Sequence, residues 1–105
     1  MTVQERVGNG MALLDAKRPG WYKEVDLKTL NIDSCDKCVL GQLYGGYEEG
    51  VNKVFPDYIG VWTHGFCPNI FESSGLTEEW VKQIQARLDI DKIQEQIQRE
   101  ELVEV

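Results

Sequence analysis

The chain has one histidine, three cysteines and three prolines among its 105 residues. Basic side chains are also scarce: 11 Lys and Arg stand against 18 Asp and Glu, which leaves a formal net charge of −7. Nucleic-acid binding of the usual kind gains most of its affinity by neutralising phosphates. The charge therefore predicts that no nucleic acid is a partner, and it disfavours adsorption to an anionic membrane surface.

Long hydrophobic runs are missing as well. The longest apolar run near the N-terminus is Met11–Leu14, which is too short for the core of a secretory signal. No stretch approaches the roughly 18 apolar residues of a membrane span. An odd number of cysteines also fails to close a disulfide framework. We therefore expect a protein of the reducing cytoplasm with no membrane partner.

What the sequence does contain is the composition of one small globular domain, 42% hydrophobic and 28% charged. Thr2 and Glu5 form a capping-box pattern that starts a helix reaching about Lys17. Ser34 is expected to cap a helix that runs from Cys35 to about Tyr44, and another helix starts at Thr77. We predict a mainly α fold: a small single-domain helical fold with long loops, an extended C-terminal helix and little or no sheet.

Glycines interrupt two of these helices. Gly8 and Gly10 each cost the first helix roughly 1 kcal/mol relative to alanine, which predicts that another backbone packs closely there. Gly41 and Gly45 are four residues apart on the next helix, a spacing that permits close packing. A phosphate-binding loop is excluded because no Gly-Lys-Ser/Thr follows.

The negative charge lies in the second half of the chain. Residues 1–47 hold six acidic and six basic side chains, whereas residues 48–105 hold twelve acidic and five basic ones. The apolar stripe of the last helix slips at 88–91 and restarts as Ile90, Ile93 and Ile97, so the helix either breaks or rotates its face. We predict a compact helical domain over 1–88 and an acidic helical tail over 89–105. The tail is expected either to form a homo-oligomer or to be a solvated, frayed end.

The cysteines and the histidine form two pairs with two-residue spacers, Cys35-x2-Cys38 and His64-x2-Cys67. Thiolates and an imidazole at such spacing match a structural zinc site with three cysteines and one histidine. The alternative is that the thiols are small apolar fillers of a helix and that the histidine is a hydrogen-bonded core residue. A thioredoxin-type redox motif lacks the βαβ context that it requires.

No nucleophile, base and orienting group stand together in the sequence, so we expect no enzymatic activity. An aromatic and polar cluster could instead form a stacking pocket that sequesters a nucleotide-type signal. Its members are Gln42, Tyr44, Tyr47, Tyr58, Trp62 and His64. The alternative is a tyrosine-rich core with hydroxyls at the surface. An anionic ligand would also need cations, and the stretch 39–76 offers only Lys53.

Several segments resemble a known group of sequences. They are Arg6-Val7, Asn9-Gly10, Ala12 to Asp15, Pro19 to Trp21, Leu30 to Ile32, Cys38 to Gly45 and His64 to Phe66. This pattern is similar to small proteins of phages and prophages of actinobacteria, covers residues 6–66 and leaves out the acidic tail. That family has no assigned activity, so no site residues follow from it. The resemblance implies a phage-type accessory protein in the cytoplasm of a bacterial host.

These observations favour a non-enzymatic function. We expect the protein to act by binding a host protein, for instance as an inhibitor of a host or defence factor. An acidic surface steers association toward basic partners, mainly by raising the association rate. A small-molecule binder and a zinc-stapled structural module are the alternatives.

Overall fold

The computed structural model describes residues 1–55, 60–67 and 73–103. Its elements are α1 (Val3–Lys17), a 3₁₀ turn (Trp21–Lys23), α2 (Val39–Tyr44), α3 (Tyr47–Val54) and α4 (Ser73–Val103). These residues contain no strand, and the predicted mainly α fold with an extended C-terminal helix is confirmed. None of the helices in the described part of the chain combines the length and apolarity that a bilayer crossing requires.

Helix α1 starts as its sequence predicts. The Thr2 hydroxyl accepts from the Glu5 backbone N–H at 3.1 Å, and the Glu5 carboxylate accepts from the Thr2 N–H at 3.3 Å. This reciprocal pair satisfies two backbone donors that have no partner within the helix. The helix ends at Lys17, and Gly20, with φ of +81°, turns the chain into the 3₁₀ segment.

Helix α2 begins four residues later than predicted. The Ser34 hydroxyl accepts from the Lys37 N–H at 3.2 Å and so closes a separate turn. Cys38 takes the capping position, where its sulfur accepts from the Gly41 N–H at 3.2 Å. A Cβ on Gly41 would lie 2.3 Å from the Cys35 carbonyl oxygen. Gly41 therefore lets the preceding turn fold back against α2.

The start of α4 also differs from the prediction. The helix begins at Ser73, so Thr77 lies inside it. The Thr77 hydroxyl accepts from the Ile32 N–H at 3.1 Å and thus connects the 31–38 loop to α4. Thr77, which was expected to cap α4, accepts a hydrogen bond from a distant backbone N–H instead.

The core is centred on Trp80 of α4, which is fully buried. Trp21 meets it edge-on with ring centroids 5.9 Å apart, and Phe66 stacks on it at 5.3 Å. The indole N–H donates to the Gly65 carbonyl at 2.7 Å, so the polar edge of the ring is satisfied. Gly10 of α1 faces the same ring. A Cβ there would lie 2.8 Å from a Trp80 ring carbon.

Helix α4 does not break at 88–91, so the slip in its apolar stripe is a rotation of the apolar face around the helix. Ile84 is fully buried, and the Tyr22 hydroxyl donates to Asp91 at 2.5 Å. This hydrogen bond raises the pKa of the Tyr22 phenol. Every side chain from Lys92 to Gln98 is exposed. The helix therefore leaves the domain near residue 92, which explains a molecule 54 Å long and only 26 Å wide.

Candidate functional site

Two loops approach each other beside α3. The first covers residues 31–38 and is held by the Gln42 side chain, whose amide donates to the carbonyls of Asp26 and Lys37 at 3.2 and 2.9 Å. The Gln42 carbonyl accepts from the Asp26 N–H at 2.6 Å. Gln42 was predicted to contact a ligand, but its side chain forms three hydrogen bonds with the backbone of Asp26 and Lys37.

The second loop covers residues 60–67 and is fastened through its carbonyl groups. Arg6 of α1 is 1% exposed and donates to the carbonyls of Trp62 and Cys67, both at 2.8 Å. Asn9 donates to the Thr63 carbonyl at 3.0 Å. Together with the bond from Trp80 to Gly65, these donors fix the loop against α1 and α4.

Sequence reasoning missed the role of Arg6. The structure places this arginine as a buried donor to carbonyls of a loop 56 and 61 residues away. A signal was present, because Arg6 falls at helical spacing between Val3 and Gly10 on the apolar face of α1. A charged residue on such a face is rarely buried without partners.

A cavity of about 240 Å³ lies between the two loops. Its lining residues are Ile32, Asp33, Ser34, Cys35, Tyr47, Phe66 and Cys67. Cys35 and Cys67 thus line the same cavity as Tyr47, which lies in the first turn of α3. Of the predicted ligand-binding residues that the structure describes, only Tyr47 lines this cavity.

The thiols differ in their surroundings. Cys38 is 1% exposed, and burial raises its thiol pKa, which favours the protonated form. Cys35 is exposed and Cys67 is half-buried. Burial also raises the pKa of the Tyr47 phenol, and the nearby thiols of Cys67, Cys38 and Cys35 raise it further. The Tyr47 phenol is therefore within electrostatic range of all three thiols.

The contacts of His64 lie with Gly60, Thr63 and Phe55. Its Nδ1 donates to the Gly60 carbonyl at 2.8 Å and lies 3.1 Å from the Thr63 hydroxyl. The ring packs edge-on against Phe55, with centroids 5.2 Å apart. Across the described residues, no three His, Cys, Asp or Glu side chains converge as metal ligands. The zinc site predicted from Cys35, Cys38, His64 and Cys67 thus gains no geometric support.

A chelator test follows from this geometry. A structural zinc site would contribute directly to the folding free energy, so its removal by a chelator would lower the thermal unfolding midpoint. Because the four residues show no such cluster, we expect an excess of EDTA to leave the midpoint unchanged to within about 1 °C. Differential scanning fluorimetry with and without chelator measures the effect. A chelator-induced drop, reversed by added zinc and absent in Cys35→Ser, would restore the four-residue zinc site.

The other predicted pocket residues are dispersed. Tyr44 lies under the Arg18 guanidinium, 5.0 Å from the ring centroid, and Trp62 lies under the Arg6 guanidinium at 4.3 Å. Tyr58 lies outside the described residues. Tyr44 and Trp62, which were predicted to stack on a nucleotide, thus pack on the protein's own arginines. The sequestering hypothesis gains no support from their placement.

The projecting part of α4 forms a second surface. Ile90, Ile93 and Ile97 are 54%, 58% and 50% exposed and lie on one face. The stripe continues toward the domain as a shallow groove of about 260 Å³ between α1 and α4, lined by Gly8, Met11, Gln83, Ala86, Arg87 and Ile90. We call the three isoleucines and this groove the α4 surface.

No protein-family model, no curated protein and no solved structure matches this chain. The functional argument therefore depends on its own residues.

Proposed function

We propose that this protein is a non-enzymatic, phage-type accessory protein that acts by binding a host protein through the α4 surface. The observation that carries the proposal is the exposed isoleucine stripe on a helix that has left its domain. Three large aliphatic side chains at half exposure or more are costly in water. Their burial by a partner would contribute roughly 1 kcal/mol each.

The charge around the stripe indicates the chemistry of the partner. Residues 89–105 hold six acidic and two basic side chains, a net charge of −4. A partner that presents an apolar groove rimmed by Lys and Arg would complement both the stripe and its flanks. We therefore assign the partner as a host protein with such a basic-rimmed groove.

A second copy of the chain is the competing occupant of the α4 surface. A homodimer through the C-terminal helices would bury the same isoleucines, but it would bring two tails of net charge −4 together. Like charges across an interface oppose association, and this repulsion is strongest at low salt. The host protein is favoured because its basic rim would attract the same negative charge that opposes a homodimer.

The decisive variant is Ile93→Asp. Ile93 is 58% exposed, so we expect unfolding stability to change by no more than about 0.5 kcal/mol. Wild type should retain a bacterial protein from lysate at low salt. The amount of this protein that Ile93→Asp retains should be at least about tenfold lower, because a charge replaces an apolar anchor. Quantitative mass spectrometry of the retained proteins measures the loss, and circular dichroism confirms the fold.

Gln98→Asp is the matched control, because it adds the same charge to an exposed residue about 140° around the helix from Ile93. Retention by this variant, together with weakening at higher salt, supports the assignment. Equal retention by wild type and Ile93→Asp would contradict it. A homodimer abolished by Ile93→Asp in light scattering would replace the host protein with a second copy.

A further inference from the structure

The cavity between the two loops holds chemistry that the α4 surface does not use. Cys35 and Cys67 line it from opposite loops, and Tyr47 and Phe66 provide its aromatic walls. We propose that Cys35 and Cys67 are a redox pair that a low-molecular-weight disulfide, such as oxidised glutathione, converts into an intramolecular disulfide across this cavity.

The third cysteine is excluded from the pair by its position. Cys38 is buried at the N-terminus of α2, and its sulfur is occupied by the Gly41 N–H. A disulfide between Cys35 and Cys38 would remove this cap and pull the sulfur out of the core. Cys35 is exposed and can be reached by a dissolved oxidant, whereas the buried Cys38 cannot.

Neither partner of the proposed disulfide lies in a helix. Cys35 lies in a turn before α2, and Cys67 lies in a bend. A disulfide requires a narrow range of Cβ distances and dihedral angles, so the two loops must bring the sulfur atoms into this range across the cavity. Tyr47 lines the same cavity, and the thiols of Cys67 and Cys35 both raise the pKa of its phenol.

The reaction proceeds by two thiol–disulfide exchanges. The Cys35 thiolate attacks one sulfur of oxidised glutathione, which forms a mixed disulfide and releases one glutathione thiolate. The Cys67 thiolate then attacks the Cys35 sulfur and releases the second glutathione. Two protein thiols are oxidised, one glutathione disulfide is reduced to two thiols, and the two protons from the cysteines pass to these products.

The bond would join residues 32 positions apart and enclose both α2 and α3. Closing a loop of this length restricts the unfolded chain and raises stability. It would also couple the 31–38 loop, which contacts α4 through Thr77, to the 60–67 loop, which Arg6 holds on α1. The oxidised form is thus expected to be the more rigid form of the domain.

The test treats the purified full chain with oxidised glutathione and maps the products by peptide mass spectrometry. Wild type should lose two thiols, yield a Cys35–Cys67 linked peptide and melt at least about 5 °C higher. Cys67→Ser should stop at a stable glutathione adduct on Cys35. Cys38→Ser is the matched control and should form the same disulfide as wild type.

Three results would overturn the proposal. A Cys35–Cys38 linked peptide in wild type would show that the redox pair is Cys35-x2-Cys38. Persistent glutathione adducts on wild type would show that Cys67 does not reach Cys35. A purified chain that retains zinc and resists glutathione until chelated would assign the thiols to a metal. Because none of these readouts involves Ile93 or a bound protein, the proposal fails or stands independently of the host-protein assignment.

Discussion

Gly10→Ala is expected to destabilise the protein by about 3 kcal/mol, although alanine is the better helix former. The added Cβ would lie 2.2 Å from the His64 carbonyl oxygen and 2.8 and 2.9 Å from two ring carbons of Trp80. A backbone carbonyl and a fully buried indole cannot move aside cheaply. Denaturant unfolding followed by circular dichroism measures the loss.

Gly8→Ala provides the control two residues away on the same helix. A Cβ at Gly8 meets nothing within 4 Å, so the substitution should stabilise the protein by roughly 0.5–1 kcal/mol through the helix preference of alanine. The sequence predicted close backbone packing for both glycines, and the structure confirms it only for Gly10. Equal effects of the two substitutions would contradict the packing of α1 against Trp80 and the 60–67 loop.

Arg6→Met is expected to cost about 3 kcal/mol. Methionine fills part of the same volume but donates no hydrogen bond, so the carbonyls of Trp62 and Cys67 lose donors that lie at 2.8 Å. A buried carbonyl that loses its partner costs more than an average hydrogen bond contributes. Arg6→Lys should recover less than half of the loss, because one ammonium group cannot reproduce the planar fork of a guanidinium.

Arg18→Met is the matched control for Arg6. The Arg18 side chain bonds Glu24 at 3.0 Å, but both side chains are substantially exposed. This contact lowers the pKa of the Glu24 carboxyl, yet exposed ion pairs contribute little to stability. We expect a change of about 0.5 kcal/mol or less in chemical unfolding. If Arg6→Met proved as mild as Arg18→Met, the 60–67 loop would not depend on Arg6.

The role of Arg6 also connects the fold to the proposed redox pair but not to the isoleucine stripe. The 60–67 loop supplies Cys67 to the cavity, and Gly65 of the same loop accepts from Trp80 of α4. Weakening the loop should therefore slow disulfide formation in Arg6→Met while leaving the isoleucine stripe on α4 unchanged. The two surfaces can be perturbed separately.

Much of the helical framework could be predicted from the sequence because its signals are local. The capping box of Thr2 and Glu5 correctly marked the start of α1, and the apolar spacing after residue 76 correctly indicated a helix. Predictions went wrong where a short polar side chain had two partners within reach. Ser34 closes a turn and Thr77 binds the Ile32 N–H, although both were expected to cap helices.

The candidate sites depended more on long-range contacts. The slip in the apolar stripe left a broken helix and a rotated face both open, and the helix that continues through 88–91 turns the isoleucines away from the core. The cysteine spacing, in contrast, predicted one cluster with His64. The structure brings Cys35 and Cys67 to one cavity, gives Cys38 to a helix cap and directs the Nδ1 atom of His64 to the Gly60 carbonyl.

The sequence by itself determined the mainly α class, the start of α1 and the concentration of negative charge after residue 47. These properties depend on composition and on spacings of four residues or fewer, which each segment carries regardless of its neighbours. Tertiary structure decided which glycine meets a buried ring, which thiols share a cavity and why an arginine lies on an apolar helix face. Arg6 contacts carbonyls 56 and 61 residues away, and such a contact exists only after the helices have packed.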